Sequence, residues 1–396
     1  MVGTATGAAR NLVLSTVAFA LCFSAWGLMA PLARRFEDDL DLSSTQTAVL
    51  IAIPVVLGSL LRIPVGALTD RFGGRIMFPA ILLLSAPPAV ALGFAESYWA
   101  LVGVAFALGV AGSSFAVGVP FVAGWYGKER QGFAVGVYGM GNIGTAVAAF
   151  SAPAIVDWFG RPALGFLAAG ILVAGAALFW VRASDAPVER APTRYRDVLG
   201  AGWRLWRLSL FYFVTFGGFV AMAVFLPKLL VDWFDLSLVD AGLRAAGFTV
   251  VATFARPLGG MAADRWGAYP VLGLAFAGIG VDAGILAAVA PEPRIVPVTI
   301  ACLTLAGFLG AGNGAVFKLV PAEFPDNAGA ATGIVGAAGG MGGFFPPLLM
   351  GVVNDVFGSY SIGFIGLLAF TAGCLGLIVW IHRGNLAAGI QEGSSG

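Results

Sequence analysis

The chain is short of the residues that keep a protein in water. Only 11 % of its 396 residues are Asp, Glu, Lys or Arg, against roughly 25 % in soluble domains. The three cysteines, Cys22, Cys302 and Cys374, each lie inside an apolar run. That excludes a secreted disulfide scaffold and makes them small packing residues. A formal charge of +1 offers no basic face to a polyanion, so nucleic-acid binding is excluded as well. The sequence has a single histidine and no metal-ligand cluster, Ser/His/Asp set or P-loop. Neither an enzyme nor a bound metal or cofactor is expected.

What fills the chain is apolar: 59 % of it, with a mean hydropathy of +0.91. A membrane helix needs about 20 such residues. Twelve candidate spans are centred near residues 22, 57, 86, 111, 142, 172, 218, 250, 280, 306, 341 and 370. The connections between them leave no room for a soluble domain. The alternating segments of roughly 10 residues that build an outer-membrane barrel are absent, and the 57 glycines suit helices that pack backbone to backbone in lipid. The first apolar run is long enough to span, so no cleavable leader is expected. With the N-terminus in the cytoplasm, fourteen Lys and Arg fall on the cytoplasmic side and six outside. The positive-inside rule therefore puts both ends in the cytoplasm. Arg62 and Arg256 are left over, inside spans.

The chain repeats itself. Arg62-Ile-Pro-Val-Gly-Ala-Leu-Thr-Asp70-Arg71-Phe-Gly73 returns as Arg256-Pro-Leu-Gly-Gly-Met-Ala-Ala-Asp264-Arg265-Trp-Gly267, at an offset of 194. Asp41-Leu-Ser43 returns as Asp235-Leu-Ser237 at the same offset, and Gly132, Gly136 and Gly139 match Gly329, Gly333 and Gly336 at 197. Repetition at half the chain length predicts two homologous six-helix bundles. Their expected bounds are 1–181 and 208–385. A charged, Pro-bearing linker lies over 182–207, and 386–396 is a tail whose last residues look like a cloning remnant.

The stretch from Gly66 through Asp70, Arg71 and Gly73 to Arg75 resembles the loop motif of the major facilitator superfamily, and the twelve-span layout resembles that family over essentially the whole chain. The resemblance implies an all-α membrane protein whose two bundles rock about a central site. It makes Asp70, Arg71 and Arg75 a cytoplasmic latch, with Asp264 and Arg265 as their repeats. The alternative is that these are loop charges at helix ends.

Arg62 lies eight residues before Asp70, about 12 Å along a helix, in a hydrocarbon core of roughly 30 Å. That places it near the midplane, and the repeat places Arg256 at the same depth. Arginine keeps its charge at ordinary pH, and at that depth it costs at least about 2.5 kcal/mol. Each could snorkel or pair with backbone carbonyls. A symmetric pair reads instead as an anion site, the guanidinium fork matching a planar oxyanion. The G-x-G-x-x-G of span five lies inside an apolar run, not between a strand and a helix, so a dinucleotide site is rejected. Its glycines form a smooth stripe along which a neighbouring helix can slide. Asn142 in that stripe is either packing glue or a neutral ligand.

Together these features resemble the nitrate/nitrite porter family. That resemblance carries Arg62, Arg256 and Asn142 to the substrate. It also carries the span-seven aromatics Tyr212 and Phe216 before Gly217-Gly-Phe219, Phe115 of span four, and Phe23 of span one, where Phe19 is equally placed. The tenth-span run Gly310-Ala-Gly312-Asn313-Gly314-Ala-Val-Phe317-Lys318 is similar too. What it implies is a monomer in the bacterial inner membrane that moves nitrate, and nitrite as well, by proton-coupled uptake. Nitrate/nitrite antiport, or exchange of small carboxylates such as oxalate and formate, stays open. Net uptake requires a group that carries a proton. The acidic candidates are Asp282, which could equally salt-bridge or face water, and Glu323. His382, at a helix end, suits dipole pairing instead.

Overall fold

The computed structural model describes residues 5–187 and 195–393. Residues 188–194 of the expected linker and 394–396 of the expected tail lie outside the described residues.

Helices account for nearly all of it. The N-terminal half comprises α1 (Ala5–Trp26), α2 (Met29–Leu40), α3 (Ser44–Phe72), α4 (Gly74–Leu92), α5 (Tyr98–Gly112), α6 (Phe115–Ala123), α7 (Gln131–Gly139) and α8 (Ile143–Arg182). A short α9 (Tyr195–Gly200) precedes the second half. That half comprises α10 (Trp203–Phe234), α11 (Leu238–Trp266), α12 (Ala268–Val289), α13 (Ile295–Glu323), α14 (Ala328–Phe357) and α15 (Ser361–Gly393). Among the described residues, ten stretches suffice by length and apolar composition to cross a membrane. One of them, Gln131–Arg182, has 52 residues, about 78 Å of helix. It turns back at Gly160, where φ is +83°, so it makes two crossings. The twelfth is α11, whose composition is diluted by Arg256 in its middle and charges at both ends. With α1–α2 and α5–α6 each forming one broken span, the count is twelve.

The sequence repeat is a structural repeat. Asp41 and Asp235 both adopt left-handed backbone, φ 54° and 53°. Each is followed two residues later by a serine whose hydroxyl caps the next helix: Ser43 accepts from Gln46 N and Ser237 from Asp240 N. At the far ends of α3 and α11, Gly73 and Gly267 take φ 81° and 89°, a region open to glycine, and the chain reverses at once into α4 and α12. The Asp-Leu-Ser triplet and the closing glycine are therefore the two turns that frame the arginine-bearing helix in each half.

The outer surface is apolar, with Leu84, Phe150, Leu274 and Val281 among its exposed side chains, as a bilayer requires. Exposed tryptophans gather at both ends of the spans. Trp99 and Trp158 stand at one level, and Trp180, Trp203, Trp206 and Trp266 at the other, the positions of interfacial belts. Between the halves, α3 packs on α14 and α11 on α7. These contacts are backbone-close: a methyl group on Gly66 would overlap the Gly329 carbonyl, and one on Gly260 the Gly132 carbonyl.

Candidate functional site

Arg62 and Arg256 are each only 3 % exposed, and they meet at the centre of the molecule. Arg62 donates from Nε to the Gly112 carbonyl at 3.1 Å and from Nη1 to the Gly336 carbonyl at 2.7 Å. Arg256 donates from Nη1 to the Gly139 carbonyl at 3.1 Å. Gly139 and Gly336 are the repeat-related glycines, so each arginine reaches across to the glycine helix of the opposite half. With its carboxamide oxygen turned inward, Asn142 accepts from Arg256 Nη2 at 2.9 Å. The smooth glycine stripes thus face the arginine-bearing helices. A side chain at Gly139 would crowd the Arg256 guanidinium, and one at Gly336 the Arg62 stem.

Aromatic rings flank the two charges. The Phe216 ring centre lies 5.3 Å from Arg62 Cζ and 5.4 Å from Arg256 Cζ. Arg62 also faces Phe115 at 5.5 Å, and Arg256 faces Phe219 at 5.6 Å. Each cation therefore sits against two ring faces and shares one of them. The Tyr212 ring lies parallel to Phe216 at 4.9 Å and to Phe115 at 6.0 Å. Phe317 closes the cluster edge-on to Tyr212 and Phe115, at 4.5 and 4.8 Å. Ring faces carry negative quadrupole charge, and a cation over one gains about 2 kcal/mol when desolvated. Together with the carbonyls, this offsets the burial of two guanidiniums without any acidic partner. A narrow cavity of about 10 Å³ reaches Arg62 between Trp26, Ser59, Phe216, Val220 and Gly340.

Arg62, Arg256, Asn142, Tyr212, Phe216 and Phe115 thus come together. Phe23 packs on Phe19 and Trp26 at 4.3 and 5.1 Å. It is Phe19 that touches the cluster, at 5.5 Å from Phe115 and 4.9 Å from Tyr138. Sequence reasoning did not single out Tyr138 at all, and quoted Phe219 and Phe317 only within longer runs. Helical spacing carries the signal for two of them: Tyr138 is one turn before Asn142, and Phe219 shares a face with Phe216.

The latch residues divide by type. The Asp70 carboxylate accepts from Gly329 N at 2.8 Å and Ala330 N at 2.9 Å, at the start of α14. Asp264 accepts from Gly132 N at 2.9 Å and Phe133 N at 2.8 Å, at the start of α7. Each aspartate thus holds the positive end of a helix in the other half. Asp264 takes, in addition, the Lys318 ammonium at 2.6 Å. Arg71 and Arg265 lie over the rings of their neighbours Phe72 and Trp266. Arg75 pairs within its own half, from its backbone N–H to Asp185 and from Nη2 to the Trp180 carbonyl.

Neither acidic candidate joins the cluster. Asp282 on α12 accepts from the Thr304 hydroxyl at 2.8 Å. Thr304 precedes Phe317 by 13 residues of α13, about 20 Å of helix. Glu323, at the other end of α13, is held by Arg207 at 2.8 Å and by the Tyr269 hydroxyl at 3.0 Å. Among the described residues no group of His, Cys, Asp and Glu could hold a metal.

The Major Facilitator Superfamily profile matches residues 14–347 and again 208–393. The chain belongs to the major facilitator superfamily. Its curated relatives place it in the nitrate/nitrite porter family within that superfamily. The nitrite extrusion protein of Bacillus subtilis is 41 % identical across 94 % of each chain. The probable nitrate/nitrite transporter NarK2 of Mycobacterium tuberculosis is 43 % identical, across 92 % of this chain and 94 % of its own. These relatives are transporters, not enzymes. Among solved superfamily structures, the human organic anion transporter MFSD10 superposes with a TM-score of 0.78 at 14 % identity, covering 94 % of this chain and 99 % of its own. That likeness speaks for the fold, a multi-pass bundle in a lipid bilayer.

Proposed function

We propose that this chain carries nitrate, and nitrite as well, across the bacterial cytoplasmic membrane by alternating access, with uptake of nitrate coupled to protons. The observation that carries the reading is the arginine pair. Two permanent cations related by the internal repeat are each bonded to a main-chain carbonyl of the opposite half. A planar oxyanion with its charge spread over several oxygens suits two guanidinium forks. Ring faces packed against both guanidiniums favour a small flat anion over a dicarboxylate.

In this mechanism the anion arrives from outside and takes N–H donors that now serve Gly336 and Gly139. Those two bonds cross between the halves, so exchanging them for bonds to substrate frees the bundles 1–181 and 208–385 to rock. Both ends of the chain then lie in the cytoplasm, and Asp70 and Asp264 seal the cytoplasmic side. One copy suffices, because both arginines come from a single chain.

A second reading, nitrate/nitrite exchange, is favoured by one observation: Asp282 and Glu323 both lie away from the ring cluster and are engaged elsewhere. Exchange of two monovalent anions needs no titrating group. Labelled nitrate uptake into proteoliposomes separates the two. Uptake into nitrite-free vesicles, driven by an inward proton gradient, is the expected result. Uptake that requires internal nitrite and ignores the gradient establishes exchange. No nitrate flux under either condition rejects both.

A further inference from the structure

The cluster contains polar atoms that the protein itself leaves unserved. Asn313 on α13 is 3 % exposed, and neither its carboxamide nitrogen nor its oxygen has a hydrogen-bond partner. The fully buried Tyr212 hydroxyl faces the Arg256 guanidinium. The Thr253 hydroxyl, one turn from Arg256 on α11, is buried and unpartnered as well. Buried amides and hydroxyls are nearly always satisfied, and each exception calls for an explanation. Here two exceptions, Thr253 and Asn313, sit on the adjoining helices α11 and α13.

The register of α13 shows where Asn313 is aimed. Gly310 and Gly314 face α11, close against the Ala252 and Arg256 carbonyls, while Gly312 faces Thr215 of α10 and Ala275 of α12. The direction between α10 and α11 is taken by Phe317, whose ring meets Tyr212 and Phe115. Asn313 is one turn from Phe317 and shares its face. Its carboxamide therefore points into the space between the two helices that bear Tyr212, Phe216 and Arg256.

Protein acceptors already take part of the arginines' donor capacity. Each guanidinium has five N–H groups. Arg62 spends two of its nitrogens on carbonyls, and Arg256 spends its terminal nitrogens on Gly139 and Asn142. Nitrate presents three equivalent oxygens in a plane, and nitrite presents two.

Resting on the nitrate reading of the site, we infer that Asn313 is a substrate ligand that sets the preference between these anions. Its amide nitrogen donates to the oxygen that nitrate has and nitrite lacks. Nitrite, held by the arginines through its two oxygens, makes no such bond. A purely structural asparagine would instead find its partners within the protein.

The test is the variant Asn313→Leu, close in size and without either polar atom, reconstituted and assayed for initial uptake of nitrate and of nitrite. The expected result is a nitrate KM raised about tenfold or more, the loss of one hydrogen bond to a charged ligand, with the nitrite KM within about twofold of the parent. The thermal midpoint in detergent should be unchanged or higher, because an unpartnered amide has been replaced by an apolar group. A structural role predicts the reverse: a lower midpoint and parallel changes for both anions. Equal shifts for nitrate and nitrite, or none, overturn the assignment while leaving the transport reading intact. An unmodified protein that moves neither anion overturns both. Should the leucine variant not reach the membrane, Asn313→Ser removes the amide nitrogen without adding bulk and carries the same expectation for the nitrate-to-nitrite ratio.

Discussion

Arg62 illustrates why residue type matters more than charge at this site. Its Nε and Nη1 donate in two directions at once, to Gly112 within its own half and to Gly336 in the other, while the plane of the group lies against Phe115 and Phe216. Lysine would keep the charge and lose the fork. A single ammonium on a flexible stem cannot hold two carbonyls on different helices and still face two rings. The variant Arg62→Lys is expected to insert and fold, because the charge stays paired with carbonyl oxygen. Its nitrate uptake should fall by about tenfold or more, equivalent to about 1.4 kcal/mol of lost transition-state binding. Initial rates in proteoliposomes at matched protein density measure it. Uptake at the parent rate would sink the paired-fork mechanism, since charge alone would then suffice.

At the level of helices, the two aspartates perform one task. Asp70 and Asp264 each accept two backbone N–H groups at the start of a helix from the other half. Asp264 also pairs with Lys318, the two side chains being 8 % and 16 % exposed. Asp264→Asn leaves a nearly buried ammonium without its counter-ion, a loss of about 3 kcal/mol. Thermal unfolding in detergent should therefore show Asp264→Asn clearly less stable than the parent. Equal midpoints would mean that Lys318 finds another partner at no cost.

The same helices show what could be read beforehand. The equal spacing of the two arginines from Asp70 and Asp264 could be counted in the sequence, and the framing turns were visible as repeated Asp-Leu-Ser and Gly. The carbonyl partners were not visible, because main-chain acceptors carry no sequence signature and any residue supplies one. The membership of Tyr138 and Phe317 was obscured by abundance: among 31 Phe most rings only pack, and composition does not mark the few that converge. The remoteness of Asp282 from the cluster was hidden for a similar reason. In an all-apolar span the lipid face and the bundle face look alike, so periodicity cannot say which way a lone carboxylate points.

For the whole molecule, charge movement distinguishes the two coupling modes without reference to any one residue. Nitrate entering a cell that is negative inside moves against about 2.3 kcal/mol per 100 mV. One proton per nitrate cancels that cost, and a second turns the potential into a driving force. With two protons a net positive charge moves inward each cycle, and 100 mV inside-negative supports roughly 50-fold more accumulation. One-for-one exchange of nitrate and nitrite moves no net charge and is indifferent to potential. The buried pair of arginines crosses no field in either mode if the two bundles rock around a fixed midplane site, so the coupled ions alone set the response. Proteoliposomes holding a potassium gradient, with valinomycin added to set the potential at constant pH, report it directly. Nitrate uptake into nitrite-free vesicles is expected to accelerate as the interior is made negative. Uptake slowed by the same potential would show net anion movement with too few protons. Uptake that needs internal nitrite and is unchanged at any potential would identify an exchanger, in which the arginine pair is never required to release its anion without receiving another.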